Sequence, residues 1–130
     1  MTGRIRTKIC GLSTPETVLA AVTGGAAYIG FNFVPKSPRY VTSSRARDLA
    51  LGVPEGVAKV GLVVDPDDEA LDDLLEAVPL DFIQLHGQET PERVSEIKER
   101  YGLPVIKAVG LRDAADLTVL PDYEAVADQV

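Results

Sequence analysis

Short β-branched or aromatic runs begin near Ile5, Tyr28, Lys59, Asp81, Pro104 and Ala127, at start-to-start spacings of 23, 31, 22, 23 and 23 residues. Nothing else in the chain restricts its fold as tightly as this rhythm. A crossover between parallel strands takes a dozen or more residues and usually a helix, so strands at this spacing pair in parallel. Helical patterns with start signals fill the intervals: Ser13 with Glu16 as a capping box, Ser43 or Ser44, Asp67 or Asp68, and Thr90 followed by Pro91. Gly24, Gly52 and Gly102 supply the stops. The runs IRTKIC, YIGFNFV, KVGLVV, FIQLH and PVIKAV are largely apolar, as strands buried on both faces should be. The expectation is an α/β fold with a parallel sheet covered by helices on both sides, and residues 1–130 as one domain without internal linkers.

Two architectures share this rhythm: an open doubly wound sheet, and a (β/α) TIM-type barrel that normally has eight units. At 130 residues the chain is short of the roughly 200 that a complete barrel takes, so the barrel reading is of an incomplete one, with five to six βα units. The formal charge of −7 and pI near 4.6 argue against nucleic acid or an anionic membrane as partner, since either needs a basic footprint. Cys10 is the sole cysteine and no metal-binding Cys/His array accompanies it, which points to a reducing, cytosolic setting and no metal. The segment from Met1 to Cys10 carries Arg4, Arg6 and Lys8 and so lacks the apolar core of a signal peptide.

In either architecture, function gathers where the strands end and the βα loops begin. The candidates there are Cys10 and Gly11, Pro35 to Tyr40, Asp65, His86 and Gly87, and Gly110 to Arg112. Residues two apart on a strand share a face, which pairs Lys8 with Cys10 and Gln84 with His86. Asn32 and Lys107 are further polar residues in apolar strands. If all share one face, polar groups from four strands converge on one interior, an arrangement that must be satisfied by mutual pairing or by a ligand.

Cys10 is either a general base, helped toward the thiolate by Lys8 roughly 7 Å along the strand face, or a small buried hydrophobe. His86, the only histidine, suits hydrogen bonding to a substrate oxygen, or else tethers its own loop. Arg39, in the Pro-rich segment PKSPRY, has the planar fork that grips a carboxylate, or is an ordinary solvated arginine. The segment DPDDEALDDLLEA, apolar at Leu71, Leu74, Leu75 and Val78, reads as an amphipathic covering helix, and Glu92, Glu96 and Glu99 as a solvated face.

Five stretches in order, KICGL (8–12), GFNFVPKSPRYV (30–41), VGLVVD (60–65), DFIQLHGQE (81–89) and VIKAV (105–109), resemble the first five strands and loops of phosphoribosylanthranilate isomerases. The resemblance covers nearly the whole chain. It implies a cofactor-free, metal-free Amadori rearrangement of a sugar-phosphate substrate, N-(5-phosphoribosyl)anthranilate, in tryptophan biosynthesis. It further implies Cys10 as general base, Arg39 as the anthranilate carboxylate's partner, Gln84 and His86 on the ring-opening side, and Lys8 as support for the thiolate. The family's general acid is an aspartate ending the sixth strand, and its phosphate is gripped in the last two βα loops. The expectation from the resemblance is that this chain lacks both, is inactive alone, and is prone to self-association through open barrel edges. Asp128 is near that strand, too early to be the acid.

Two rivals remain. A phosphoacceptor signalling domain would have an aspartate ending its third strand and a lysine in its fifth, as Asp65 and Lys107 do here, but Cys10 and Gly11 stand where its acidic pair should be. The other is a half-barrel scaffold without activity.

Overall fold

The computed structural model describes residues 5–130, so Arg4 of the N-terminal reading lies outside the described residues. Five strands, β1 (Lys8–Ile9), β2 (Tyr28–Asn32), β3 (Ala58–Val63), β4 (Phe82–Leu85) and β5 (Val105–Lys107), form one sheet, every neighbouring pair parallel. Between them run α1 (Pro15–Thr23), α2 (Ser43–Leu51), α3 (Asp68–Ala77) and α4 (Pro91–Tyr101); a 3₁₀ turn (Ala114–Val119) and α5 (Leu120–Glu124) follow β5. The first strand is shorter than IRTKIC, although the Thr7 carbonyl and the Gly11 amide extend its contacts with the second. The sixth run supplies a single parallel bridge, Ile106 with Gln129.

The strand order is sequential, β1-β2-β3-β4-β5. A doubly wound sheet reverses direction at a switch point, as in the order 2-1-3-4-5 of signalling domains, so that alternative is excluded for these strands. Crossovers of the usual right hand that all step the same way place every helix on the same face. Burial agrees. Ile29, Phe31, Val63, Ile83, Leu85 and Val105 form one core with Val18, Ala46, Leu49, Leu71, Leu74, Val94 and Ile97 of the helices. The expectation of helices on both sides is therefore corrected: the strands read as apolar throughout because the second face is buried by curvature.

That second face carries Tyr28, Val60, Leu62, Phe82, Gln84 and Ile106; Val60 stands opposite Phe82, Leu62 opposite Gln84, and Gln84 opposite Ile106. Tyr28 meets Phe82 edge-to-face at 5.4 Å between ring centroids, and its hydroxyl accepts from Gln129 Nε2 at 3.2 Å. In a flat sheet, β2 and the Gln129 bridge would stand four strand spacings apart, on the order of 19 Å. The sheet is strongly concave on this side.

Helix starts differ from expectation by about one residue. The capping box of α1 is Thr14 with Thr17, one step beyond Ser13 and Glu16, and α2 is capped by Thr42 rather than Ser43 or Ser44. Asp67 and Thr90 cap α3 and α4, and Gly24, Gly52 and Gly102 close α1, α2 and α4, as expected. Two aspartates repeat a device at the opposite ends of the strands: Asp81 accepts from the Lys59 amide and Asp128 from the Val105 amide, each at 2.8 Å. Lys59 and Lys98 pair with these carboxylates at 3.2 and 3.1 Å.

Candidate functional site

Alternation along β1 turns Lys8 and Cys10 to the concave side, where both reach over Gly30 of β2. A Cβ built on Gly30 would lie 3.0 Å from the Cys10 sulfur and 3.4 Å from Lys8 Nζ. A side chain at this position would push these groups aside by a few tenths of an ångström. The Gly11 and Leu12 amides then donate to the Gly30 carbonyl at 3.0 and 3.2 Å, which ties the end of β1 to the middle of β2.

The loop after β2 is shaped by its own polar groups. Asn32 Oδ1 accepts from the Val34 amide at 2.8 Å and Ser37 Oγ from the Arg39 amide at 3.1 Å. Turns from Val34 to Ser37 and from Ser37 to Tyr40 bring the chain back, and the Val41 amide closes on the Asn32 carbonyl. Arg39 is thereby laid across Gly11, where an added Cβ would be 2.5 Å from Arg39 Cδ and 2.8 Å from Nε.

On β4, Gln84 stands in register with Leu62, and the His86 amide extends the ladder by donating to the Val63 carbonyl at 3.0 Å. The His86 ring is exposed. Gln84 Oε1 is shielded from solvent and accepts no hydrogen bond. An acceptor left unmatched in a cleft wall suits a ligand N–H or O–H donor, since buried polar groups are otherwise paired.

Lys8, Cys10, Arg39, Gln84 and His86, the five residues singled out from sequence, all line one cleft of about 530 Å³, together with Asn32. The other candidates separate from it. Asp65 leaves the cleft: it holds the Gln88 amide at 2.8 Å from a backbone with φ of 44°. Gly110, Leu111 and Arg112 line a neighbouring cavity of about 680 Å³. Lys107 is a correction, because its register partner is Leu85 and not Gln84, which puts it on the helix-covered face. Three strands, not four, bring polar groups together. Asp128 is engaged at the start of β5, at the opposite end of the sheet from the cleft.

Lys107 is satisfied by a partner that the sequence reading missed. Its Nζ lies 2.8 Å from both Glu89 Oε1 and the Gly87 carbonyl, with the two side chains 3% and 1% exposed. The Glu89 carboxylate also accepts from the Asp65 and Gly87 amides, and the Tyr123 hydroxyl donates to the Glu89 carbonyl at 2.6 Å. Burial pushes the Glu89 carboxyl up, but the Lys107 hydrogen bond and the backbone amides outweigh it and hold the group below the ordinary glutamate range. Burial and the nearby Glu89 charge push the Tyr123 phenol up. A signal was available in the sequence, since a lysine inside an apolar strand requires a carboxylate.

Comparison with known proteins adds a family. Residues 7–129 match the family model of N-(5'phosphoribosyl)anthranilate (PRA) isomerase. The N-(5'-phosphoribosyl)anthranilate isomerase of Paracoccus denitrificans is 60% identical over 126 residues, covering 97% of this chain and 59% of that protein. Among solved structures, a phosphoribosyl anthranilate isomerase in complex with reduced 1-(o-carboxyphenylamino)-1-deoxyribulose 5-phosphate superposes with a TM-score of 0.88 at 38% identity, covering 94% of this chain and 62% of that one. Monomers of a dimeric phosphoribosylanthranilate isomerase from Thermotoga maritima give 0.86 at 38% identity, with 94% and 61% covered. The chain thus spans about three-fifths of the length of the curated relatives it matches.

Proposed function

The chain belongs to the N-(5'-phosphoribosyl)anthranilate isomerase family, and on that premise we propose that its cleft is the anthranilate-binding and proton-abstracting part of an isomerase site. The observation that carries this reading is the meeting of Lys8, Cys10, Arg39, Gln84 and His86 in one cleft at the strand ends. The sheet, sequential and concave, is read as the first five βα units of a TIM-type barrel. The setting is the cytosol, where a lone thiol such as Cys10 stays reduced.

In the rearrangement, an acid protonates the furanose ring oxygen and the C1–O bond breaks, leaving a protonated Schiff base between C1 and the anthranilate nitrogen. A base then takes the C2 proton, whose C–H electrons form the C1–C2 double bond of an enaminol, and tautomerisation leaves the ketone at C2. Cys10 is the base, acting as the thiolate with the Lys8 ammonium beside it over Gly30. Arg39 binds the anthranilate carboxylate through its planar fork. Gln84 Oε1 accepts from a sugar hydroxyl, and His86 hydrogen-bonds on the ring-opening side. The acid and the phosphate-binding loops belong to units beyond these five, so turnover requires those units.

The test joins this chain to the remaining βα units of the Paracoccus denitrificans relative and follows turnover by anthranilate fluorescence. Cys10→Ala should lower kcat by roughly 10²–10⁴-fold, the range of a lost general base, and Arg39→Ala should act mainly on KM. Near-normal kcat in Cys10→Ala would remove the thiol from proton transfer. A joined, folded protein with no turnover at all would leave the scaffold reading in its place.

A further inference from the structure

The Glu89–Lys107 pair is an expensive thing to bury. Two charges almost fully removed from water are seldom worth more to stability than apolar side chains of the same volume. What distinguishes this pair is where its hydrogen bonds go. Gly87 follows His86 directly, and both of its backbone groups are held by charged atoms: the amide by the Glu89 carboxylate at 2.9 Å and the carbonyl by Lys107 Nζ at 2.8 Å. One residue earlier, the His86 amide is fixed to Val63, and one residue later the Gln88 amide is fixed to Asp65 Oδ1. The Asp65 amide is itself held by Glu89. Space is also committed, because a Cβ on Gly87 would lie 2.8 Å from the Asp65 carboxylate.

We propose that Glu89 and Lys107, acting from the helix-covered face of the sheet, are positioning residues that set where the His86 ring stands in the cleft on the other face. The ends of β3, β4 and β5 are tied at one buried carboxylate, and Tyr123 brings α5 to the same point through the Glu89 carbonyl. The chain can leave His86 exposed to a ligand and still hold it, since restraint comes through the backbone on either side rather than from contacts on the ring. Charge-assisted hydrogen bonds suit this task because they are shorter and stronger than neutral ones. The link to ligand binding rests on the isomerase reading; the link from the ion pair to His86 does not.

Because His86 is the only histidine, a sample carrying ¹³C-labelled histidine reports this ring alone. In the unaltered chain, the Gly87 amide should exchange slowly with solvent and the ring should give one narrow set of resonances. In Glu89→Gln and Lys107→Met, at temperatures where circular dichroism shows the fold intact, those resonances should shift and broaden. Asp128→Asn, which weakens the opposite end of the strands, should leave them in place. Gly87→Ala keeps the ion pair, crowds Asp65 and should also move them, so the idea stays exposed to refutation if the buried variants do not fold. Rapid exchange at Gly87, or an unmoved His86 spectrum in folded Glu89→Gln, Lys107→Met or Gly87→Ala, would overturn it. A second arm measures binding of reduced 1-(o-carboxyphenylamino)-1-deoxyribulose 5-phosphate, expected to weaken about tenfold in Glu89→Gln, the worth of one misplaced hydrogen bond. If the unaltered chain joined to its remaining βα units does not bind that compound, the isomerase reading fails while the His86 spectra still decide the positioning role.

Discussion

Single atoms decide how close Cys10 and Lys8 stand over β2. At Gly30, an added methyl would sit 3.0 Å from the Cys10 sulfur and 3.3 Å from its Cα, so Gly30→Ala must displace the thiol by a few tenths of an ångström. Turnover of the joined enzyme is expected to drop roughly tenfold for such a shift, a loss that stopped-flow measurement of the chemical step would register and that an unchanged rate would refute. At Glu89 the consequence is for stability. Glu89→Gln leaves Lys107 charged, buried and without its counterion, and the expected cost is about 3–5 kcal/mol in urea unfolding. Since the carboxyl sits below its ordinary value of 4.5 when folded, its contribution is complete above that value and is lost as the pH falls through the folded one. Acid unfolding of Glu89→Gln should consequently lack part of the steepness of the unaltered chain below about pH 4. That Cys10, Arg39, Gln84 and His86 gather at one cleft was legible in the sequence, because alternation and strand ends say where side chains point. Glu89 was not, because a glutamate just ahead of a helix start resembles its solvated neighbour Glu92 until the fold sets it against Lys107.

Helices here are punctuated by threonine more than by serine. Thr14, Thr42 and Thr90 each accept from the amide three residues on, and Thr90→Ala should cost about 1 kcal/mol of stability. Thermal denaturation tests this directly, and a value within a few tenths of zero would show the cap to be dispensable. Ser13 sits beside Thr14, and Ser43 and Ser44 follow Thr42, so hydroxyl chemistry alone could not select the capping residue. The choice falls to the position where the extended backbone turns, which depends on the strand it leaves. Strand existence and spacing were legible for the opposite reason, since apolar runs of this composition have few alternatives to burial. The short extent of β1 was not, because Ile5 and Arg6 look like strand residues until their neighbours are known.

At the scale of the molecule, periodicity prescribed a parallel sheet but carried no information on strand order, and order separates an open sheet from a closing one. The sequential arrangement and the reach of Tyr28 to Gln129 supply what the spacing could not. Among the described residues β1 is paired on one side only, with Ile9 exposed at 42%, and unpaired strand edges with uncovered apolar side chains favour association. Sedimentation of the 130-residue chain is expected to show species larger than the monomer; a sharp monomer with cooperative melting at high temperature would contradict this. Proton transfer by the thiol next to the imidazole requires that Cys10 and His86 share one cleft, and each is unique in the chain, so a label on one reports on the other alone. A nitroxide attached to Cys10 should broaden the His86 ring resonances severely, and reduction of the nitroxide should restore them. His86 signals unaffected by the spin label would place the two groups apart and contradict a shared site.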